Sequence, residues 1–68
     1  MEYKLMRFTR NERSITLDLY DPVHMCNIEV KRLYGTIPVE ERQQIVHKVK
    51  ILHGTFATLE KWIQIVEG

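Results

Sequence analysis

Apolar residues recur through the last third of the chain at alternating spacings of four and three: Ile45, Val49, Leu52, Phe56, Leu59, Ile63 and Val66. Because 3.6 residues make a helical turn, this spacing aligns all seven along one side of an α-helix. Thr36-Ile37-Pro38 opens that helix, and Glu40 and Glu41 fall in its first turn, where the helix dipole favours anions. Gly54 interrupts the run, and a glycine inside a helix costs ~1 kcal/mol relative to alanine. The pattern allows one helix of roughly 40 Å or two helices hinged at Gly54. The unbroken phase across the glycine favours the continuous helix.

The N-terminal third has the other periodicity. Ile15, Leu17 and Leu19 alternate with Thr16, Asp18 and Tyr20, a strand with one face to bury. Before it, Tyr3 and Leu5 fall on one face of a mixed segment, and Met6 and Phe8 on the other. Arg10-Asn11-Glu12-Arg13 separates the two segments at the length of a hairpin loop. Asp21-Pro22 then reads as a helix start, since aspartate can accept from free amides and proline presets φ. Gly35 reads as the helix stop, with Val23, Cys26, Val30 and Leu33 on one face between them. In a competing reading Cys26 to Val30 is a third strand, because Ile28 and Val30 alternate with Asn27, Glu29 and Lys31. The agreement of both end signals favours the helix. The expected fold is therefore α+β: an N-terminal β-hairpin, a middle helix and a long C-terminal amphipathic helix, in one small domain spanning residues 1–68.

Length sharpens this picture. A chain of 68 residues buries only ~60% of the surface its unfolded form exposes, so small domains lean on disulfides, metals or oligomerisation. Cys26 is the only cysteine, which excludes an intrachain disulfide. The lone thiol and the charged first residues, which lack a signal peptide's apolar stretch, point to a reducing, cytoplasmic setting. No apolar run approaches the ~18 residues of a membrane span. Three alternate strand residues span only ~13 Å, too little to cover the C-terminal stripe. The expectation is a homodimer, with Ile45, Val49, Leu52, Phe56, Leu59, Ile63 and Val66 at its interface. Trp62 and Ile65 lie beside the stripe. With Tyr34 and the arginines Arg7, Arg10 and Arg13, they are the candidate contacts for a protein partner.

Reactive constellations are harder to find. His24, Cys26, His47 and His53 could supply four zinc ligands, but spacings of two and six spread each pair around a helix, so no metal is expected. Cys26 with His24 lacks the third group and oxyanion donors of a nucleophilic site. Gly35, Gly54 and Gly68 are isolated, so no phosphate-binding loop is present. The adjacent pair Glu40-Glu41 is explained by helix-start electrostatics. No enzyme activity and no cofactor are expected. Ten Lys/Arg against nine Asp/Glu give a net charge of +1, which steers the chain neither towards nucleic acid nor away from it.

The element order from Ser14 to Leu52, a strand, an Asp-Pro helix, Gly35 and a second helix, resembles the ribbon-helix-helix repressors. The resemblance covers about half the chain. It implies a two-chain ribbon in the major groove, with Thr16, Asp18 and Tyr20 as the base-reading residues. Gly54 to Trp62 also looks like the turn and recognition helix of a helix-turn-helix, although Phe56, Leu59 and Ile63 are better explained as core. The preferred function is a non-enzymatic interaction protein acting through a helical surface: an inhibitor, adaptor or regulator of the kind that phages and plasmids carry as accessory proteins. A ribbon-helix-helix-like repressor or antitoxin is the alternative, with nucleic acid as its partner. Steep loss of affinity with salt would distinguish it.

Overall fold

The computed structural model describes residues 1–67; Gly68, the end of the expected domain, lies outside them. The elements in order are β1 (Glu2–Arg10), β2 (Ser14–Asp21), β3 (Cys26–Leu33), α1 (Val39–Ile51), β4 (Phe56–Thr58) and α2 (Leu59–Glu67). The strands form one antiparallel sheet in the order β3-β2-β1-β4. The first three are a meander, and β4 returns after α1 to the far side of β1. The class is α+β, but the expected lone hairpin is part of a curled four-strand sheet, with both helices after the meander.

The central strand β2 behaves as its alternation predicts. Ile15, Leu17 and Leu19 are fully buried, and Thr16, Asp18 and Tyr20 face the other way. In β1 the alternation is broken: Leu5 pairs with Leu19 and Arg7 with Asp18, so Met6 is an extra, bulged residue. The bulge moves Phe8 onto the inner face with Tyr3 and Leu5, where it pairs with Leu17 and packs against the core. The expectation that Phe8 shares a face with Met6 is therefore corrected, because a bulge resets the two-residue period.

The middle helix is also corrected. Asp21 does accept from free amides, those of Val23 at 2.9 Å and His24 at 3.1 Å, but it does so in a hairpin turn. The same aspartate-proline chemistry starts turns as well as helices. Met25 closes the turn at φ 54°, and Cys26–Leu33 continues as β3, antiparallel to β2. Gly35, at φ 55°, ends a strand and leads into α1.

The single C-terminal helix is corrected last. Helix α1 stops at Ile51, Gly54 takes φ 83°, and Phe56–Thr58 form β4 before α2 begins. The break is fastened to β1: the Gly54 amide donates to the Leu5 carbonyl at 2.8 Å, and the Leu5 amide to the Thr55 carbonyl at 3.1 Å. The Thr58 hydroxyl then accepts from the Lys61 amide at 3.2 Å, capping α2. The helix-turn-helix likeness of Gly54–Trp62 thus falls on a turn, a strand and a helix whose tryptophan is internal.

Two helical faces close the core. Helix α1 contributes Ile45, Val46 and Val49; α2 contributes Trp62 and Val66, with Leu59 and Ile65 at the margin. The Trp62 indole N–H donates to the Tyr3 carbonyl at 2.9 Å, so the largest core side chain also satisfies its polar atom. No helix among the described residues is long and apolar enough to cross a membrane.

Candidate interaction surface

The helices cover one face of the sheet. The other carries three rows of side chains fixed by strand register, since directly opposed residues in an antiparallel sheet share a face. One row runs Phe56, Lys4, Tyr20, Asn27; the next Arg7, Asp18, Glu29; the third Thr9, Thr16, Lys31. Met6, Arg7, Asp18, Asn27 and Glu29 line a depression of about 660 Å³ in the middle of this face.

The bulge shapes that depression. Its extra residue places Met6 beside Arg7 on the rim, where Met6 is 44% exposed. The Met6 carbonyl can only accept, and it takes the His53 Nε2–H at 2.7 Å, so the loop after α1 fastens the bulge. Arg7 donates from Nε to Asp18 Oδ2 at 2.6 Å. Glu29 lies on the other side of Asp18, a like charge directly opposite. Phe56, 50% exposed, ends the first row on β4. The face therefore combines exposed apolar groups and hydroxyls with charges of both signs, on strands rather than loops.

At the sheet end near the β2–β3 turn, Asp21 is a buried carboxylate on the inner face. Its second oxygen accepts from His24 Nδ1 at 2.7 Å, which places the proton on that nitrogen. Burial works to raise the Asp21 pKa; the hydrogen bonds from the His24 ring and from the His24 and Val23 amides, with the His24 charge, outweigh it and hold the carboxyl below its ordinary value. At the other end, Asn11 Oδ1 accepts from the Arg13 and Ser14 amides at 2.8 and 2.9 Å, shaping the β1–β2 loop. Arg42 lies 5.0 Å from the centre of the Tyr34 ring and donates to the Ile37 and Glu12 carbonyls. Both ends are closed by their own hydrogen bonds.

The candidate contacts from the sequence are scattered. Trp62 is 0% exposed, Tyr34 is buried, and Ile65 is half-buried against the core. In this fold Trp62 and Tyr34 offer no free side chain to a partner, whereas Ile65 keeps part of its side chain at the surface. Arg7 lies on the outer face, Arg10 pairs with Ile15 and so belongs to the opposite face, and Arg13 sits in the loop. The stripe proposed as a dimer interface is divided as well. Ile45, Val49 and Val66 are inside the molecule's own core, Leu52 and Leu59 are at its margin, Phe56 is on a strand, and Ile63 is 36% exposed. The stripe took Ile63 as the inward residue, but α2 turns Trp62 inward, one position earlier.

On the outer face, Met6, Lys4, Thr9, Asn27, Glu29, Lys31 and, as a surface group, Phe56 are not among the candidate contacts that the sequence offers. One signal was available for Met6: Leu5 and Phe8 are three apart, a parity error that a strand repairs with a bulge. Among the described residues no group of three or more His, Cys, Asp or Glu side chains is arranged to hold a metal ion. Cys26 is exposed, and His53 is bonded to the bulge. Comparison with known proteins finds no matching family model, no matching curated protein and no matching solved structure.

Proposed function

We propose that this protein is a small non-enzymatic interaction module, an inhibitor, adaptor or regulator, that holds a protein partner on the uncovered face of its sheet. The observation that carries the reading is the outer face itself. Met6 lines a depression on strands whose opposite side is locked into the core, and Phe56 and the half-buried Tyr20 lie in the adjoining row of the same face. Apolar and aromatic groups held rigidly lose little entropy when a partner covers them. This replaces the helical surface expected from the sequence, whose apolar residues largely pack inward.

Charge favours protein over nucleic acid. Glu2, two residues from Lys4 on β1 and so on the same face, joins Asp18 and Glu29 in matching Lys4, Arg7 and Lys31, and Arg7 is already paired with Asp18. Binding to phosphates needs a surplus of cations. The ribbon-helix-helix alternative loses its premise, because residues 26–33 are a strand and β2 has a neighbour on each side. No edge of β2 is free to form a two-chain ribbon.

The test is capture by the tagged protein from its native cell extract, with and without nuclease, using wild type and Met6→Glu. The expected result is a stoichiometric protein band that survives nuclease and is lost in Met6→Glu while the circular dichroism spectrum is unchanged. Absence of such a band, recovery of nucleic acid in its place, or full retention by Met6→Glu overturns the reading.

A further inference from the structure

The sheet ends at β3, whose side away from β2 meets no other strand. An open edge of eight residues is a template for another chain. Two observations bear on which chain. On the inner face, Ile28 and Val30 are half-buried, whereas their register partners Leu19 and Leu17 are fully buried. On the outer face, Glu29 and Lys31 are exposed, and neither has an ion-pair partner among the described residues. Glu29 instead faces Asp18, a like-charge arrangement that is unfavourable within a sheet.

We propose that β3 pairs antiparallel with β3 of a second copy, about a twofold axis at Val30. A twofold axis perpendicular to a sheet sets one residue opposite its own copy and matches residues at equal distances on either side. With Val30 at the centre, Glu29 stands opposite Lys31 of the second copy, and Lys31 opposite its Glu29. Both unmatched charges find a complement, twice over. Asn27 meets the exposed Leu33, and the half-buried valines meet each other on the inner face. Centring on Glu29 or on Lys31 sets like charge against like, and centring on Ile28 leaves Lys31 opposite the turn residue Met25. A one-residue slip opposes inner and outer faces. The charge order of β3 therefore selects one register.

The product is a continuous sheet with four strands from each copy, helices on one side and the two outer faces side by side. A single outer face offers roughly 500 Å² from strand spacing and rise, below the ~800 Å² per partner of a standard interface. Two joined faces exceed it. The pairing itself stands independently of the partner proposed above.

Sedimentation equilibrium from micromolar to millimolar concentration tests the pairing, on wild type and three variants whose fold is checked by circular dichroism. Wild type is a dimer. Glu29→Lys and Lys31→Glu each create two like-charge contacts and weaken it on the order of tenfold or more, and the double swap E29K/K31E restores it. An equimolar mixture of the two single variants forms a heterodimer, because one carries lysine and the other glutamate at both positions. A monomeric wild type at millimolar concentration overturns the proposal, as does a dimer that ignores the single changes or is not restored by the swap. Loss of the dimer with partner capture intact removes the pairing and leaves the binding face standing.

Discussion

Along β2 the side chains of Ile15, Leu17 and Leu19 are wholly buried, whereas Thr16, Asp18 and Tyr20, interleaved with them, keep contact with solvent. The two sets share one backbone, one twist and one pair of neighbouring strands. They differ only in what stands beyond them. The inner set meets Ile45, Val49, Trp62 and Val66 from the helices, so its shapes are dictated by the fold. The outer set has only its neighbours on the sheet beside it, with Arg7 bonded to Asp18. Changes on the first face should therefore register as stability, and changes on the second, under the proposed function, as recognition.

The largest expected effect is on the inner face. Trp62→Ala removes the biggest buried side chain and its hydrogen bond to Tyr3, a loss of about 3–5 kcal/mol. A domain of this size holds only about 3–10 kcal/mol in total. A thermal or urea melt should find this variant largely unfolded. Met6→Glu on the outer face should melt within about 0.5 kcal/mol of wild type. Equal losses in the two variants would end the distinction between the faces.

Asp21 tests the comparison from a different side, because it is a buried charged group on the face that carries the core. Its carboxyl is held below its ordinary value, so folding favours the ionised form. The sign follows directly. The stabilisation is complete above the unfolded-state value of about 4 and is lost as pH falls through the lower folded-state value. Asp21→Asn keeps an oxygen for the Val23 and His24 amides but removes the charge. Urea melts between about pH 5 and pH 2 should show wild type losing stability more steeply than this variant. Parallel curves would show that the turn does not depend on the carboxylate.

The inner face was the legible one. Alternation in Ile15–Leu19 placed three core residues correctly, and Pro38 with Glu40 and Glu41 marked the start of α1. Errors arose where one local signal serves two structures. Asp21-Pro22 suits a helix start or a turn, and only the pairing of β3 with β2 decides between them. The run Ile45 to Val66 kept helical phase across Gly54 by coincidence, since a three-residue strand lies in its middle. What selects that strand is its partner β1, more than fifty residues away in sequence. The outer face was hidden for the same reason. Phe56, Lys4, Tyr20 and Asn27 come from four strands, and no window along the chain contains them.

Backbone strain separates the two turns that follow β3 and α1 from the one that precedes β3. Gly35 and Gly54 occupy left-handed positions as glycines, whereas Met25 holds φ 54° with a side chain. A non-glycine residue there costs roughly 1–2 kcal/mol, part of which glycine gives back as extra freedom in the unfolded chain. Met25→Gly should therefore stabilise the protein by about 0.5–1 kcal/mol. An exposed methionine retained in a strained turn would have a role outside folding, so a variant that melts higher should also be compared in partner capture. A lower melting temperature would show that the Met25 side chain contributes packing beyond its exposed position.

The smallest stability effect belongs to Arg7, and it divides the two faces most sharply. Its guanidinium is largely exposed, although its partner Asp18 is mostly covered. Solvent screens such a pair, so Arg7→Ala should cost about 0.5 kcal/mol or less. Removing it nevertheless leaves Asp18 facing Glu29 with no cation in their row, and turns the lining of the depression acidic. Arg7→Ala should then melt close to wild type while capturing its partner weakly, the reverse of what any inner-face variant can do. Arg7→Lys keeps the charge but loses the geometry of the Nε–H donor, and should recover part of the capture. A large drop in melting temperature with Arg7→Ala would mean that the outer face, too, helps to hold the fold together.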